Sequence, residues 1–334
     1  MTRKINNSYE LGQSNAPTDG GDMLKTRGDG TLVWEGVADT TFVPVSWYGS
    51  RGVFGSGFDG GANTNVIDYI TISTPGNATD FGDITQARRT LDACSDGTTG
   101  IFGGGYTGSG VNTIDYITVA TTGNATDFGD LTLSRYALAS CSDGTTGIFG
   151  GGSTGSNTTT IDYITIATPG NAIDFGDITS ARRYLAACSD STKGVFGGGS
   201  TGSHSNILDY VTIATTGNAT DFGDLTQSRA NLSGCSDTTR GLFAGGEIPG
   251  GSHVDTIDYI TIATTGNAID FGDMNVSRHY LTACSDATKG VFAGGYTSTQ
   301  INTIDYVTIA TTGNGTDFGD LTVSRHALAA CSGN

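Results

Sequence analysis

The sequence predicts an all-β fold, a six-bladed β-propeller with four antiparallel strands in each blade. One phrase, NATDFGDLTQSR with its near copies, occurs six times along the 334 residues. The gaps between copies are 47, 47, 47, 49 and 47 residues, measured at the first Asp of the DFG tripeptide. Each period holds four short β-type segments separated by turn residues, and such a period is typical of a propeller blade.

The four segments of a repeat are labelled A to D in chain order. Segment A is typified by RYALASCS from Arg135, and segment B by GIFGGG from Gly147. Segment C is TIDYITIA from Thr160, and segment D contains ATDFGDL. Segment C has apolar residues in both alternating sets, which indicates a strand buried on both faces. Such a strand belongs in the middle of a sheet that is packed between two like sheets.

The two ends of the repeat array predict how the ring closes. The first clear B segment begins at Gly52, and the last copy stops after its A segment, at Cys331–Asn334. We expect residues 325–332 to supply the missing A strand of the first blade, whose other strands lie within residues 52–87. The segment FVPVSWYGSRG, residues 42–52, could supply that strand instead, but it matches the repeat less well. The propeller is then predicted for residues 46–334, and a short irregular arm for residues 1–45.

Composition and charge exclude several classes of function. The formal net charge is −17, and an acidic surface repels phosphate backbones, so nucleic acid is not an expected partner. No apolar run approaches the length of a membrane span, so no membrane insertion is expected. The N-terminal MTRKINNSYELGQ has no apolar core typical of a signal peptide, so we expect synthesis in a cytoplasm.

Two motifs within the repeat resemble cofactor-binding signatures, but the repeat explains them better. DFG holds magnesium in kinases only together with a Gly-rich loop, a strand lysine and a catalytic Asp, and this set is missing here. GGGYTG and GGGSTG match a phosphate-binding pattern, yet a strand follows where a helix N-terminus is required. We expect the Phe of DFG to pack between blades, and the glycines to allow a tight turn and a close approach of neighbouring blades.

Each copy of the phrase carries a second Asp and, five residues later, an Arg. We predict that the two form an ion pair within the blade, at the turn from segment D to segment A. The predicted structural pairs are Asp83–Arg88, Asp130–Arg135, Asp177–Arg182, Asp224–Arg229, Asp273–Arg278 and Asp320–Arg325.

Six cysteines occupy a single position of segment A, which is expected to be the innermost strand. Equivalent atoms on a sixfold ring are separated by the radius of the ring, so neighbouring Cα atoms should exceed the limit of about 7 Å for a disulfide. We therefore predict six free, buried thiols, with no disulfide, no metal site and no cofactor. These cysteines are Cys94, Cys141, Cys188, Cys235, Cys284 and Cys331.

Comparison of the six copies with one another locates the variable positions. The B-to-C loops differ most, and the residue after the segment A Arg also varies; both groups are expected on one face, beside the channel mouth. Drift in unconstrained loops is the alternative explanation. No nucleophile, base and acid recur together, so no catalytic residue is predicted. The candidate binding residues are Phe58, Tyr106, His204, Glu247, His253 and Tyr296 in the loops, and Arg89, Tyr136, Arg183, His279 and His326 beside them.

The repeat resembles the kelch propeller family. In five of the six copies an apolar run ends in a glycine pair, and a Tyr, an aromatic residue and an Arg follow. The resemblance covers roughly residues 46–334 and implies a fold rather than a function. It departs from the family in having Phe where a Trp is usual on the outer strand. The glycine pairs are Gly104–Gly105, Gly151–Gly152, Gly198–Gly199, Gly245–Gly246 and Gly294–Gly295, and the Phe residues are Phe81, Phe128, Phe175, Phe222, Phe271 and Phe318.

The arm is similar to a GDxLKTxGxGxLVW segment common in bacteriophage tail-fibre and other virion proteins. The match rests on Gly21, Asp22, Leu24, Lys25, Thr26, Gly28, Gly30, Leu32, Val33 and Trp34. The repeats also look like those of marine phage structural proteins. The resemblance implies a non-catalytic virion protein, such as a tail fibre, spike or decoration, anchored to other virion proteins by its arm.

On this hypothesis the protein resides in the virion, and its loop face binds a host surface glycan or receptor. Self-association into a homo-oligomer is compatible with that role. A propeller enzyme acting on glycans and a general protein-interaction scaffold are the alternatives.

Overall fold

The computed structural model describes residues 22–26, 32–36 and 48–334, and the chain divides into two compact units, Met1–Val45 and Ser46–Asn334. In the first unit, β1 (Asp22–Thr26) pairs antiparallel with β2 (Leu32–Gly36). The arm was predicted to be irregular, but part of its GDxLKTxGxGxLVW segment forms this two-stranded sheet. The rest of the arm, including Gly28 and Gly30, lies outside the described residues.

The second unit is a ring of six four-stranded antiparallel sheets, each forming one blade. Blade 1 consists of β26 (Ala329–Gly333), β3 (Arg51–Phe58), β4 (Asn63–Thr71) and β5 (Thr79–Asp83). The other blades follow chain order. Blade 2 is β6 (Asp92–Ser95), β7 (Thr99–Gly103), β8 (Thr113–Thr118) and β9 (Thr126–Asp130); blade 3 is β10 (Ala139–Ser142), β11 (Thr146–Gly150), β12 (Thr160–Thr165) and β13 (Ile173–Asp177). Blade 4 is β14 (Ala186–Ser189), β15 (Lys193–Gly197), β16 (Ile207–Thr212) and β17 (Thr220–Asp224); blade 5 is β18 (Ser233–Ser236), β19 (Arg240–Ala244), β20 (Thr256–Thr261) and β21 (Ile269–Asp273). Blade 6 is β22 (Thr282–Ser285), β23 (Lys289–Ala293), β24 (Thr303–Thr308) and β25 (Thr316–Asp320).

The C-terminal strand closes the ring, as predicted. β26 pairs antiparallel with β3, and Cys331 lies opposite Val53. The strand β26 is therefore the innermost strand of blade 1, the position for which residues 42–52 were the alternative. Residues 42–47 lie outside the described residues, and β3 begins at Arg51. Among the described residues, no helix is long and apolar enough to span a membrane.

The core consists of apolar clusters between neighbouring blades. In one of them Phe128 of blade 2 packs with Phe149 and Ile164 of blade 3. Phe149 is fully buried, and Phe128 is 3% exposed. The Phe of the repeated phrase therefore packs between blades, as predicted. Strand C is buried on both faces, since Ile161 and Asp162 are neighbours in β12 and both are fully buried.

Glycines allow adjacent blades to approach closely, which the sequence also predicted. A Cβ on Gly103 would lie 2.5 Å from the ring of Phe149 in the next blade. Gly129 of DFG has φ +148°, and its Cβ would lie 2.4 Å from the carbonyl oxygen of Gly170. Larger residues at these positions would push neighbouring blades apart.

The buried arginines pair with a different Asp from the one predicted. Arg135 Nη2 lies 2.9 Å from Asp162 Oδ2, and both side chains are fully buried. Asp130, the predicted partner, is exposed, and its N–H donates to Asn171 of the next blade at 3.0 Å. A buried guanidinium needs a buried carboxylate, whereas a surface pair adds little stability.

In every blade the buried Arg pairs with the Asp of segment C instead of the Asp that follows DFG. The predicted pairs Asp83–Arg88, Asp130–Arg135, Asp177–Arg182, Asp224–Arg229, Asp273–Arg278 and Asp320–Arg325 are wrong. The observed pairs are Arg88–Asp115, Arg135–Asp162, Arg182–Asp209, Arg229–Asp258, Arg278–Asp305 and Arg325–Asp68, at 2.6–3.0 Å.

All six cysteines are buried and free. Each lies on an inner strand and faces the neighbouring blade: Cys94 Sγ would be 2.8 Å from a Cβ on Gly147. Burial raises the pKa of the Cys94 thiol well above its ordinary value. The thiol therefore stays protonated and serves as a small apolar group.

Candidate functional site

A collar of backbone hydrogen bonds narrows the central channel near one end. It is formed by the second residue after each buried Arg, and at this position every blade has a left-handed backbone, with φ between 53° and 59°. The N–H of Ala137 donates to the carbonyl of Thr90, and the N–H of Thr90 donates to the carbonyl of Ala327, both at 2.7 Å. The collar residues are Thr90, Ala137, Tyr184, Asn231, Tyr280 and Ala327.

The collar closes a complete circle of six hydrogen bonds, one between each pair of neighbouring blades, at 2.7–2.9 Å. A left-handed backbone costs a residue other than glycine about 1–2 kcal/mol. The conformation persists because the circle of bonds fixes it. The collar therefore holds the residues around it in defined positions.

The structure brings the two groups of predicted binding residues together. The N–H of Tyr106 donates to the carbonyl of Arg89 at 2.8 Å, and the N–H of Arg89 donates back at 3.2 Å. The corresponding bridge joins a B-to-C loop residue to the residue after the buried Arg in every blade. The bridges are Phe58–His326, Tyr106–Arg89, Ser153–Tyr136, Ser200–Arg183, Glu247–Ala230 and Tyr296–His279. Both groups therefore lie on one face, at the channel mouth.

Aromatic side chains line a cavity of about 380 Å³ at this mouth. The rings of Tyr106 and Tyr136 meet edge to face with centroids 5.0 Å apart. The Arg89 guanidinium lies 4.8 Å from the centroid of Phe58 and 5.2 Å from that of Tyr106. We call this group the aromatic cup; its members are Phe58, Arg89, Tyr106, Tyr136, Tyr184, Tyr280 and His326, all partly exposed.

Two members of the cup were missed from the sequence. Tyr184 and Tyr280 are collar residues whose rings pack edge to face at 5.5 Å. Each directly follows a predicted binding residue, Arg183 or His279, but neither tyrosine was itself predicted. Variation among the copies could have identified this position, because it reads Thr, Ala, Tyr, Asn, Tyr and Ala in the six copies.

The remaining candidates also lie at the mouth. The Arg183 guanidinium lies 5.3 Å from the centroid of Tyr184. The ring of Tyr296 lies 5.5 Å from both His279 and His326. Burial lowers the pKa of His326 to about 4, and the charge of Arg89 acts in the same direction. His326 is therefore neutral near pH 7.

A histidine–glutamate cluster, formed by His204, Glu247, His253 and His279, lies on the blade 4 to blade 6 side of the mouth. His204 Nε2 lies 3.6 Å from Glu247 Oε1, and His279 Nε2 lies 3.8 Å from Glu247 Oε2. The rings of His253 and His279 have centroids 4.1 Å apart. Burial lowers the pKa of His279 to about 4, and His253 and His326 lower it further.

Below the collar, a narrow cavity of about 80 Å³ is lined by a single carboxyl group among the described residues, that of Asp92. Asp92 stands where the other blades have Ala, Ser or Thr, and its Oδ2 accepts the N–H of Ser140 at 2.6 Å. Burial raises the pKa of Asp92 to about 7. At the far end of the channel, the hydroxyl of Tyr48 lies 3.3 Å from Ser236 Oγ.

The raised pKa of Asp92 predicts a pH-dependent effect of Asp92→Asn. Between the unfolded pKa of about 3.9 and the folded pKa of about 7, the native state binds more protons, so wild-type stability falls as pH rises. Asn keeps an acceptor for Ser140 and does not ionise. We expect the variant to gain up to about 4 kcal/mol over wild type at pH 8 and little at pH 4. Urea unfolding across this range measures the difference; a difference independent of pH would contradict the assignment.

Comparison with known proteins assigns no family. No protein-family model matches this sequence, and no curated protein matches it either. Since a propeller scaffold supports many functions, the function has to be inferred from the two groups of side chains at the mouth.

Proposed function

We propose that this chain is a non-catalytic display and adhesion module of a bacteriophage virion, built on a kelch-like propeller, that binds a carbohydrate of the host surface. The aromatic cup is the observation that carries the binding proposal. A sugar ring has an apolar C–H face that stacks on aromatic rings and hydroxyl groups that need hydrogen-bond partners. The cup offers both, since its rings surround the cavity and Arg89 supplies N–H donors among them.

The size and rigidity of the cup also suit a sugar ligand. Its volume of about 380 Å³ falls within the range of about 300–1,000 Å³ common for small-molecule sites. Tyr184 and Tyr280 belong to the hydrogen-bonded collar, so their backbones are held in place before a ligand arrives. Preorganised aromatic anchors lose little conformational entropy on binding.

The virion part of the proposal rests on the N-terminal motif and on the repeats that look like those of phage structural proteins. On this proposal the arm docks on other virion proteins and the propeller displays the cup toward the host. An acidic surface, with net charge −17, suits display rather than contact with nucleic acid.

Binding of the full-length chain to arrayed bacterial capsular polysaccharides and lipopolysaccharides tests the sugar site. We expect Tyr106→Ala and Arg89→Ala each to weaken binding about tenfold, since one stacked ring or one desolvated cation contributes roughly 1–2 kcal/mol. Ile173→Ala is the control, because Ile173 is 58% exposed on the outer strand of blade 3.

Equal binding by wild type and Tyr106→Ala would exclude the cup as the site. Release of sugar fragments from a bound polysaccharide would instead favour an enzyme acting on glycans. Immunogold imaging of intact particles with an antibody against the propeller checks the virion location, and unlabelled particles would overturn that part alone.

A further inference from the structure

The histidine–glutamate cluster concentrates residue types that are rare in this chain. The sequence has four histidines, and three of them belong to the cluster. Glu247 is the single glutamate of residues 46–334, where every other acidic residue is Asp. The members come from three blades, with His204 in a blade 4 loop, Glu247 and His253 in a blade 5 loop, and His279 before β22 of blade 6.

The loop that differs most from the repeat supplies two members of the cluster. The blade 5 loop is two residues longer than its counterparts, which produces the 49-residue gap. Within it Glu247 and His253 form an antiparallel β-bridge. Residues directly opposite in such a bridge project their side chains to the same side, with Cβ atoms about 5 Å apart. The extended loop therefore presents a carboxylate and an imidazole as a pair.

Ligand-type atoms of three residues converge on a common point. One nitrogen or oxygen atom from each of Glu247, His253 and His279 lies within 4.8 Å of the other two. The separation of 3.8 Å between Glu247 Oε2 and His279 Nε2 is longer than a hydrogen bond. It is close to the about 3.3 Å between ligand atoms that a tetrahedral zinc ion with Zn–N of about 2.0–2.1 Å requires. A contraction of up to about 1.5 Å in the separations between the three ligand atoms would complete the geometry.

We propose that Glu247, His253 and His279 bind one divalent transition-metal ion of the zinc class. Two imidazoles and one carboxylate form a ligand set that zinc accepts, with a fourth position left for water or an external ligand. His204 Nε2 lies 3.6 Å from the other oxygen of Glu247, so a small movement on metal binding would let it donate to the carboxylate and hold it in place. The acidic surface favours arrival of a cation.

The sequence led us to expect no metal site, and the structure gives the reason for the difference. No metal site was predicted because no His or carboxylate partner recurs with the cysteines at the repeat period. The cluster does not recur. Each of its residues stands at a position that varies among the copies, and two of them belong to the extended blade 5 loop. The packing of blades 4, 5 and 6 against one another brings these positions together.

Metal titration of the full-length chain, after removal of bound metal with a chelator, tests this proposal. Co²⁺ is followed by its visible absorption and Zn²⁺ by competition with a chromophoric chelator. We expect one ion per chain. His253→Gln and Glu247→Gln change partly exposed residues and should weaken binding at least about 100-fold, while His204→Gln should weaken it about tenfold. Asp130→Asn removes an exposed carboxylate of blade 2, outside the ligand set and outside the aromatic cup, and should bind as wild type.

Circular dichroism of each variant, recorded without metal, separates loss of a ligand from loss of the fold. Absence of stoichiometric binding to the wild-type chain would overturn the proposal. So would unchanged affinity in folded His253→Gln and Glu247→Gln, since the ion would then have other ligands. The titration contains no sugar, so its outcome is independent of the proposed carbohydrate site.

Discussion

Deletion of residues 323–334 is expected to abolish cooperative folding of the propeller. The deletion removes β26 and leaves β3 without its inner neighbour, so Val53 and Phe54, which are fully buried, become exposed. Each such side chain contributes about 1.5–3 kcal/mol on burial. The deletion also removes Arg325, which pairs with Asp68, and Ala327, which closes the collar. Together these losses reach the total stability of about 5–15 kcal/mol of a typical domain.

Thermal unfolding followed by circular dichroism, with size-exclusion chromatography, measures this result. A circular permutant that carries residues 323–334 through a flexible linker ahead of Tyr48 is the matched control. It restores blade 1 from one end of the chain, so it should recover a single cooperative transition. A deletion variant that melts like wild type would show that the ring does not depend on β26.

The fold could be predicted because periodicity alone identifies blades and their strands. The phrase around Phe128 recurs every 47 residues with one gap of 49, and four short strands in such a period are typical of a propeller blade. Ring closure could also be predicted, because the segment before Cys331 matches the A segments of the other copies. The partner of Arg135 could not, because Asp130 and Asp162 belong to equally periodic series, and only burial distinguishes them.

The site could be predicted in part. Variation among copies identified the mouth positions, because loop residues vary where the framework does not require them. The collar was missed because its left-handed backbone carries Thr, Ala, Tyr and Asn rather than a glycine that would mark it. All four members of the histidine–glutamate cluster were among the candidate residues, but their convergence could not be predicted, because it depends on how blades 4, 5 and 6 pack against one another.

Asp162→Asn is expected to lower the free energy of unfolding by about 3–5 kcal/mol. The change leaves Arg135 buried without a counter-charge, although its Nη2 still donates to the carbonyl of Phe149 at 2.9 Å. The amide keeps the shape of the carboxylate and can still accept from Thr132, whose hydroxyl lies 2.5 Å from Asp162 Oδ1. The loss of stability therefore measures the effect of removing the charge, not the effect of creating a cavity. Equilibrium unfolding in urea measures it.

Asp130→Asn is the matched control, since it makes the same chemical change at an exposed residue, the last of β9 in the preceding blade and five residues before Arg135. We expect a loss below about 1 kcal/mol, the usual limit for exposed charges. The reverse ranking of the two variants would mean that Arg135 depends on its local Asp in solution. Arg135→Met combined with Asp162→Asn should recover part of the loss, because no buried charge then remains unpaired.

Blade 6 offers an internal comparison for the same experiment. In blade 3 the threonine hydroxyl and its N–H both reach Asp162, whereas in blade 6 Asn275 donates to Asp305 at 3.0 Å. Burial raises the pKa of Asp305 above its ordinary value despite the neighbouring Arg278. The carboxylate of Asp305 is thus less well stabilised, so Asp305→Asn should cost less than Asp162→Asn. The ion pair is common to all blades, and comparison of the two variants measures how far its contribution depends on the residue that bonds the carboxylate.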